Sequence, residues 1–167
     1  MRYSVFLFSL FCLLLAPQVR AAPAQQAFSD WQVTCNNQNF CLARNTGEHR
    51  GLVMTLTRSA GAKTDATLRI DLGGLDTPSV KEPEIATRLL LDNVPVKLDK
   101  QRWQLTPWHL KTDDAATITA FLKNIQEGKA LTLRGGKQVI SLSGLKAALL
   151  FIDAQQKRVG KIGRAHV

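Results

Sequence analysis

Two closely spaced cysteines are the residues of this sequence that most invite a chemical interpretation. Cys35 and Cys41 enclose the five residues NNQNF. Such a pair could bind a metal, form a redox couple or form a structural disulfide. A zinc site needs about four ligands, with cysteines about two to four residues apart, and the nearest imidazole is that of His49. A redox couple usually shows Cys-x-x-Cys, which tunes the thiolate pKa, and the sequence lacks that motif. The spacing is typical of neither site.

A serine and a lysine stand at a spacing that could support nucleophilic catalysis. Ser143 and Lys146, in SGLK, match the Ser-x-x-Lys pattern of penicillin-binding proteins and β-lactamases. The spacing puts a hydroxyl and an amine one helical turn apart, so the lysine could take the serine proton. The companion motifs Ser-Asp-Asn and Lys-Thr-Gly do not occur in the sequence. The sequence therefore favours an N-cap serine and a surface lysine.

Other polar and aromatic residues give no catalytic constellation. His109 with Asp113 and Asp114 could be a general base with an orienting carboxylate, but no nucleophile accompanies them. The pairs Gly73-Gly74 and Gly135-Gly136 lack the further residues of a phosphate-binding loop and are interpreted as turns. Three tryptophans are interpreted as core or edge aromatics: Trp31, Trp103 and Trp108. We predict no catalytic, cofactor-binding or metal-binding residue and no cofactor.

The N-terminus has the layout of a cleavable secretory signal. Arg2 supplies the positive charge, and the twelve residues 5–16 form an apolar run interrupted only by Ser9. Twelve helical residues cover about 18 Å, well short of the roughly 30 Å of a hydrocarbon core. We therefore predict a signal peptide over residues 1–21, cleaved between Ala21 and Ala22, and a periplasmic protein without a transmembrane segment.

Export decides between the interpretations of the two cysteines. Signal removal takes away Cys12, so that Cys35 and Cys41 are the two that are left. Cysteines of an exported chain are expected to pair in an oxidising compartment. Asparagine tolerates left-handed backbone, so NNQNF suits a tight loop. The sequence predicts a Cys35–Cys41 disulfide that pins a β-hairpin.

The C-terminal residues IGRAHV predict a non-native end. Residues 162–167, back-translated, reproduce one frame of a widely used sequencing adapter. We interpret them as read-through from a truncated gene and exclude them from fold reasoning. Residues 22–161 are then expected to form one β-rich N-terminal domain of a longer protein.

The charge is positive and scattered. Lys and Arg number 22 against 13 Asp and Glu, a net charge of +9. Arg2, Arg20 and Arg164 lie in the two ends, which leaves +6 for residues 22–161. Scattered positive charge favours a solvated surface, with loose contact to anionic envelope polymers or lipid headgroups. Export argues against nucleic acid as a partner.

Hydrophobic periodicity predicts the elements that must position these residues. Residues 28–72 alternate as strands in WQVTC, GLVMTLTR and TLRIDL, and RWQLTP is a further short strand. A hairpin is predicted to turn at Asp92-Asn93. The segments ALTLR and QVISLS, joined at a Gly-Gly turn, give two more strands.

Two helices are predicted near the C-terminal end, at about 112–127 and 144–157. The first has an apolar stripe at helical spacing and an N-cap at Thr112 or Asp113. The second is capped by Ser143. Its inward stripe comprises Leu145, Ala148, Leu149 and Ile152. The sequence therefore predicts an α+β fold that is mainly antiparallel β-sheet.

Several motifs together resemble a family of exported Gram-negative proteins, domain of unknown function 1176. The motifs are FSDWQVTCNNQNFC, LVMTLTRSAGA and SLSGLKAALLFIDAQQKRVG, across residues 28–160. The arrangement is more distantly similar to the invasion-associated locus B family. The first resemblance implies a longer protein, with a second portion that carries its own cysteines, and it implies no catalytic residues.

These observations predict a non-enzymatic envelope binding or accessory domain. Its partner is expected to be an unknown protein or an anionic envelope polymer. The alternative is part of an envelope enzyme whose active site is completed by a missing C-terminal half.

Overall fold

The computed structural model describes residues 23–61, 65–73 and 85–156. Three sequence predictions lie outside these residues: the signal peptide, its cleavage at Ala21–Ala22 and the tail 162–167.

The described residues form two antiparallel sheets and three helices. In chain order the strands are β1 (Ala24–Phe28), β2 (Trp31–Cys35), β3 (Cys41–Asn45), β4 (Leu52–Arg58), β5 (Ala66–Leu72), β6 (Leu89–Leu91), β7 (Val94–Pro95), β8 (Gln104–Leu105), β9 (His109–Thr112), β10 (Ala130–Leu133) and β11 (Val139–Ser141). The helices are α1 (Ile85–Arg88), α2 (Ala115–Ile125) and α3 (Leu145–Gln155). The larger sheet has the order β1-β2-β3-β4-β5-β9-β8 and the smaller β11-β10-β6-β7. The predicted α+β class, dominated by antiparallel sheet, is confirmed.

Period-two alternation places one face of the large sheet in the core. Leu52, Met54 and Leu56 of β4 are buried, whereas the residues between them are half-buried. β4 pairs with β5 so that Met54 stands opposite Ile70, which is also buried. Both α2 and α3 contact the large sheet, and so does β11 of the smaller sheet. The core therefore lies between the large sheet and a second layer of helices and short strands.

A tryptophan joins the two sheets. Trp31 of β2 is fully buried, and its indole N–H donates to the carbonyl oxygen of Ser141 at the end of β11, 2.9 Å away. Trp103 is also buried, with its ring 5.2 Å from that of Phe121 on α2. Both rings are core aromatics, as predicted. Trp108 is 37% exposed and lies at the rim.

The predicted hairpin at Asp92-Asn93 is confirmed, with Leu91 paired to Val94. The two turn residues have φ of 47° and 70°. A two-residue hairpin loop requires positive φ at these positions, which Asp and Asn tolerate better than most residues. The Asp92 carboxylate also accepts hydrogen bonds from the backbone N–H groups of Lys129 and Ala130. It thereby ties the turn to the start of β10.

The predicted caps of both long helices are wrong. Thr112 belongs to β9 and Asp113 points to Thr67, so the cap of α2 is Asp114, which accepts from the Thr117 N–H at 2.9 Å. The helix is correspondingly shorter than the predicted 112–127.

At α3 the N-cap is Gly144 and not Ser143, and no side chain caps the helix. Gly144 has φ of 91°, and a Cβ there would stand 2.0 Å from the carbonyl oxygen of Phe28. The close approach of β1 therefore requires glycine, which a local capping argument cannot reveal. The helix ends at Gln155, short of the predicted 157. Its predicted inward stripe is buried throughout and so confirmed.

Candidate functional site

The disulfide closes a short hairpin between two neighbouring strands. Cys35 and Cys41 are register partners of β2 and β3, with Cα atoms 4.0 Å apart and both side chains buried. The side-chain oxygen of Asn36 accepts from the N–H groups of Gln38 and Phe40, at 3.0 Å each. Asn39 takes the left-handed conformation, with φ of 58°. The disulfide and the loop side chains together fix the conformation of this hairpin, as the sequence predicted. The disulfide is also consistent with an oxidising, extracytoplasmic location.

A buried polar cluster lies directly behind this hairpin. Its members are Arg58 at the end of β4, Asp153 on α3 and Gln156 after α3; we call it the Arg58 cluster. Arg58 and Asp153 form an ion pair with side chains only 13% and 7% exposed. The Arg58 Nε donates to Gln156 Oε1 at 2.7 Å.

The remaining bonds of the Arg58 cluster are to backbone. The Gln156 side-chain N–H₂ group donates to the carbonyl oxygens of Asn39 and Arg58, each at 2.8 Å. One glutamine therefore ties the end of α3 to the disulfide loop and to β4. Through these bonds the cluster ties α3, β4 and the disulfide loop together. Sequence pattern alone does not predict this contact, because Arg58 and Asp153 are 95 positions apart.

The Ser-x-x-Lys pair is not brought together. The Lys146 ammonium group is exposed and pairs with Glu127, at 2.6 Å between Nζ and Oε1. The backbone N–H of Ser143 donates to the Ser141 hydroxyl. A lysine engaged with a carboxylate in solvent is a surface lysine, as the sequence favoured.

The histidine and the two aspartates have separate partners. His109 lies on β9, where its Nδ1 is 3.0 Å from the Thr106 hydroxyl. His109 and Asp113 are four residues apart along an extended chain, or roughly 13 Å. Asp113 accepts from the Thr67 hydroxyl at 2.6 Å, and this bond, with the adjacent Lys111, lowers its pKa.

Asp114 is occupied as the cap of α2. Its Oδ2 accepts from both the hydroxyl and the backbone N–H of Thr117. These bonds, with the nearby Arg102, lower the pKa of Asp114. Neither aspartate orients His109. Within the described ranges, no group of three or more His, Cys, Asp or Glu residues could hold a metal ion.

The outer face of the large sheet carries a row of basic and polar side chains. The sequence of any one strand does not reveal this row, because it depends on how the strands pair. Strand pairing aligns one residue from each of six strands across this face. In order they are Gln32, Arg44, Thr55, Arg69, Lys111 and Gln104. All six are half-buried or exposed. We call this set the basic row.

The basic row holds two cations directly opposite each other. Arg69 of β5 is the register partner of Lys111 of β9. Each cation forms an ion pair with the aspartate two residues later in the chain. Arg69 pairs with Asp71 at 2.8 Å, and Lys111 pairs with Asp113 at 3.2 Å. Arg44 stands two strands from Arg69, between Gln32 and Thr55. At about 4.8 Å per strand, Arg44 and Lys111 are roughly 14 Å apart.

Threonines fill the next row of the same face. Thr34, Thr57 and Thr67 are aligned across β2, β4 and β5, with Leu42 of β3 between the first two. The face therefore offers hydroxyl, amide and cationic donors on a broad sheet surface, and no deep cleft is needed to reach them.

Among the described residues, no helix has the length and apolar character to cross a bilayer.

Comparison with known proteins gives a family and no function. The chain is 71% identical over 160 residues to the uncharacterized protein YpfG of Escherichia coli (strain K12), a match that covers 96% of this chain. The chain spans 46% of the length of that curated relative. No solved structure matches it. The model of the family described as "Protein of unknown function (DUF1176)" matches residues 25–163. Because the match covers most of the sequence, the chain belongs to the DUF1176 family.

Proposed function

We propose that this protein is a periplasmic binding domain without catalytic activity, and that the basic row contacts an anionic envelope polysaccharide. The row itself carries the proposal, since it aligns three cations on an open face. The predicted signal and the disulfide support an extracytoplasmic site of action.

Arg69 and Lys111 form an unfavourable cross-strand pair. Like charges directly opposite on a sheet destabilise it. The neighbouring Asp71 and Asp113 offset part of this repulsion, but both ion pairs are solvent-exposed, where such pairs contribute about 1 kcal/mol or less. A sheet face selected only for solubility has no need of this arrangement. An anionic ligand that bridges the two cations would remove the repulsion.

The donor set indicates the class of ligand. Arginine forms paired hydrogen bonds with a carboxylate or a phosphate, and lysine adds a point charge. Thr55, Gln32 and Gln104 in the row can donate to and accept from sugar hydroxyl groups. A flat face with both kinds of donor matches a long polymer of acidic sugars better than a small metabolite, which needs a concave pocket.

The test is binding of the signal-processed chain to purified lipopolysaccharide, with uncharged dextran as the negative probe. Replacing the three cations of the row, Arg44, Arg69 and Lys111, by Gln should weaken binding at least about tenfold, which is about 1.4 kcal/mol. The matched control replaces Lys97, Lys100 and Lys123, which are exposed and lie outside the strands of the large sheet, and removes the same charge. Equal losses in the two triple variants, or equal binding of dextran, would contradict the proposal.

An enzymatic function rests on a different observation. The chain spans 46% of the E. coli relative, so the longer protein has room for a site completed elsewhere. Turnover of an envelope substrate by the full-length relative, abolished by one substitution outside the matched segment, would favour the enzyme. Polysaccharide binding without turnover favours the binding domain.

A further inference from the structure

Most of the outward side of α3 is apolar, with the exposed Lys146 at its border. Ala147, Leu150, Phe151 and Ala154 follow the spacing i, i+3, i+4, i+7, which is one face of a helix. Leu150 is 63% exposed, and both alanines are exposed. The opposite face of the same helix is already buried in the core. No described element covers the side of α3 that carries Leu150.

Strand β1 extends this apolar surface. The ring of Phe28 lies 5.4 Å from that of Phe151, so the apolar side of α3 continues onto the end of β1. β1 is the edge strand of the large sheet. Its sequence, AQQAF, contains no charged residue and no proline, the devices that usually protect an edge from pairing. We call Phe28, the four residues of α3 and the edge of β1 that no described strand pairs the α3 patch.

We infer that the α3 patch is the docking surface for the polypeptide that the full-length family protein has beyond the segment matched here. More than half of the E. coli relative lies outside that segment. The patch offers such a segment apolar side chains and an open strand edge, the two elements used when an extended peptide adds to a sheet.

The size of the α3 patch favours a tethered occupant over a second copy of the chain. Stable interfaces between separate proteins bury about 800 Å² and roughly 20 residues on each side. Five apolar side chains and one short edge are well below that. A segment of the same polypeptide docks at an effective concentration of about millimolar, so a small interface is enough. The inference is independent of polysaccharide binding, because the patch and the basic row share no residue.

Thiol labelling tests the inference. Leu150→Cys is introduced into this chain and, at the aligned position, into the full-length relative, and maleimide labelling of that position is followed by peptide mass spectrometry. The matched control is Val94→Cys, 64% exposed in the β6–β7 hairpin and away from the patch. We expect labelling at position 150 to be at least about tenfold slower in the full-length protein, with equal rates at position 94.

Two results would overturn the inference. One is equal labelling at position 150 in both proteins. The other is labelling of this chain that slows with rising protein concentration, together with a dimer that Leu150→Lys dissociates, because the occupant would then be a second copy.

Discussion

Removing one partner of the Arg58–Asp153 ion pair should destabilise the fold more than removing both. The pair is nearly buried, with 13% and 7% of the two side chains exposed. Breaking a buried pair leaves one charge without compensation and typically costs about 3–5 kcal/mol. Because both groups keep some contact with solvent, we expect the lower end, about 3 kcal/mol, for Arg58→Met or Asp153→Leu.

The variant with both Arg58→Met and Asp153→Leu measures the coupling energy between the two residues. Apolar replacement of both partners is often near neutral, but Gln156 Oε1 then loses the donor that Arg58 supplies. An acceptor without its donor costs about 1–2 kcal/mol. The single variants together predict a loss of about 6 kcal/mol, so a double variant that loses about 1–2 kcal/mol falls short of additivity by about 4–5 kcal/mol.

Equilibrium unfolding of the oxidised, signal-processed chain in urea, followed by tryptophan fluorescence, measures each free energy of unfolding. The free energy of unfolding should fall with urea concentration at the same slope in every variant. Differences in the midpoint urea concentration then report differences in stability. The control is Glu127→Gln, which breaks the exposed pair with Lys146 and should cost less than about 1 kcal/mol. Additive losses in the double variant, or single losses no larger than that of the control, would refute the reasoning.

Three further variants test the hairpin and the two helix caps. Replacing Cys35 and Cys41 together by Ala should lower the free energy of unfolding by about 2 kcal/mol, the value for so short a loop, and a loss below about 0.5 kcal/mol in the urea titration would exclude a stabilising role. Gly144→Ala should cost more than Gly135→Ala in the same titration. Both glycines have positive φ, but a Cβ at 144 meets the Phe28 carbonyl oxygen at 2.0 Å and one at 135 meets nothing within 4 Å. The lowered pKa of Asp114 gives stability that is present above the ordinary value of 3.8 and is lost as the pH falls through the folded-state pKa. Asp114→Asn removes this titration, so the melting temperature of the variant should depend less steeply on pH below about pH 4. If the melting temperature of the variant falls with pH as steeply as that of the wild type, other carboxylates cause the loss of stability in acid.

The sequence was informative where local pattern and tertiary structure agree. Strands β2 to β5 alternate strictly between core and surface, and the turn at 92–93 has the residues that its backbone demands. Strand β1 was missed because AQQAF lies at an edge, where burial imposes no alternation. Strand β9 was missed because its four residues run directly into the polar residues that precede α2.

The remaining features depend on contacts between distant residues. Ser143 has the side chain of a good N-cap, yet the carbonyl oxygen of Phe28 decides that the cap is a glycine. The basic row requires the register of five strand pairs, which alternation within a single strand does not specify. Arg58 and Asp153 stood in separate motifs of the family resemblance, and only the fold shows that they meet.

The placement of α3 connects the disulfide to the proposed docking surface. At its start, α3 is fixed by the close approach of Gly144 to β1. At its end, Gln156 donates to Asn39 within the loop that the disulfide closes. A helix held at both ends presents Leu150 and its neighbours in one orientation. A rigid surface loses little conformational entropy when a partner binds, so a small apolar patch of this kind can contribute useful affinity. The disulfide then acts at a distance from its own hairpin, because it holds the loop that anchors the end of α3.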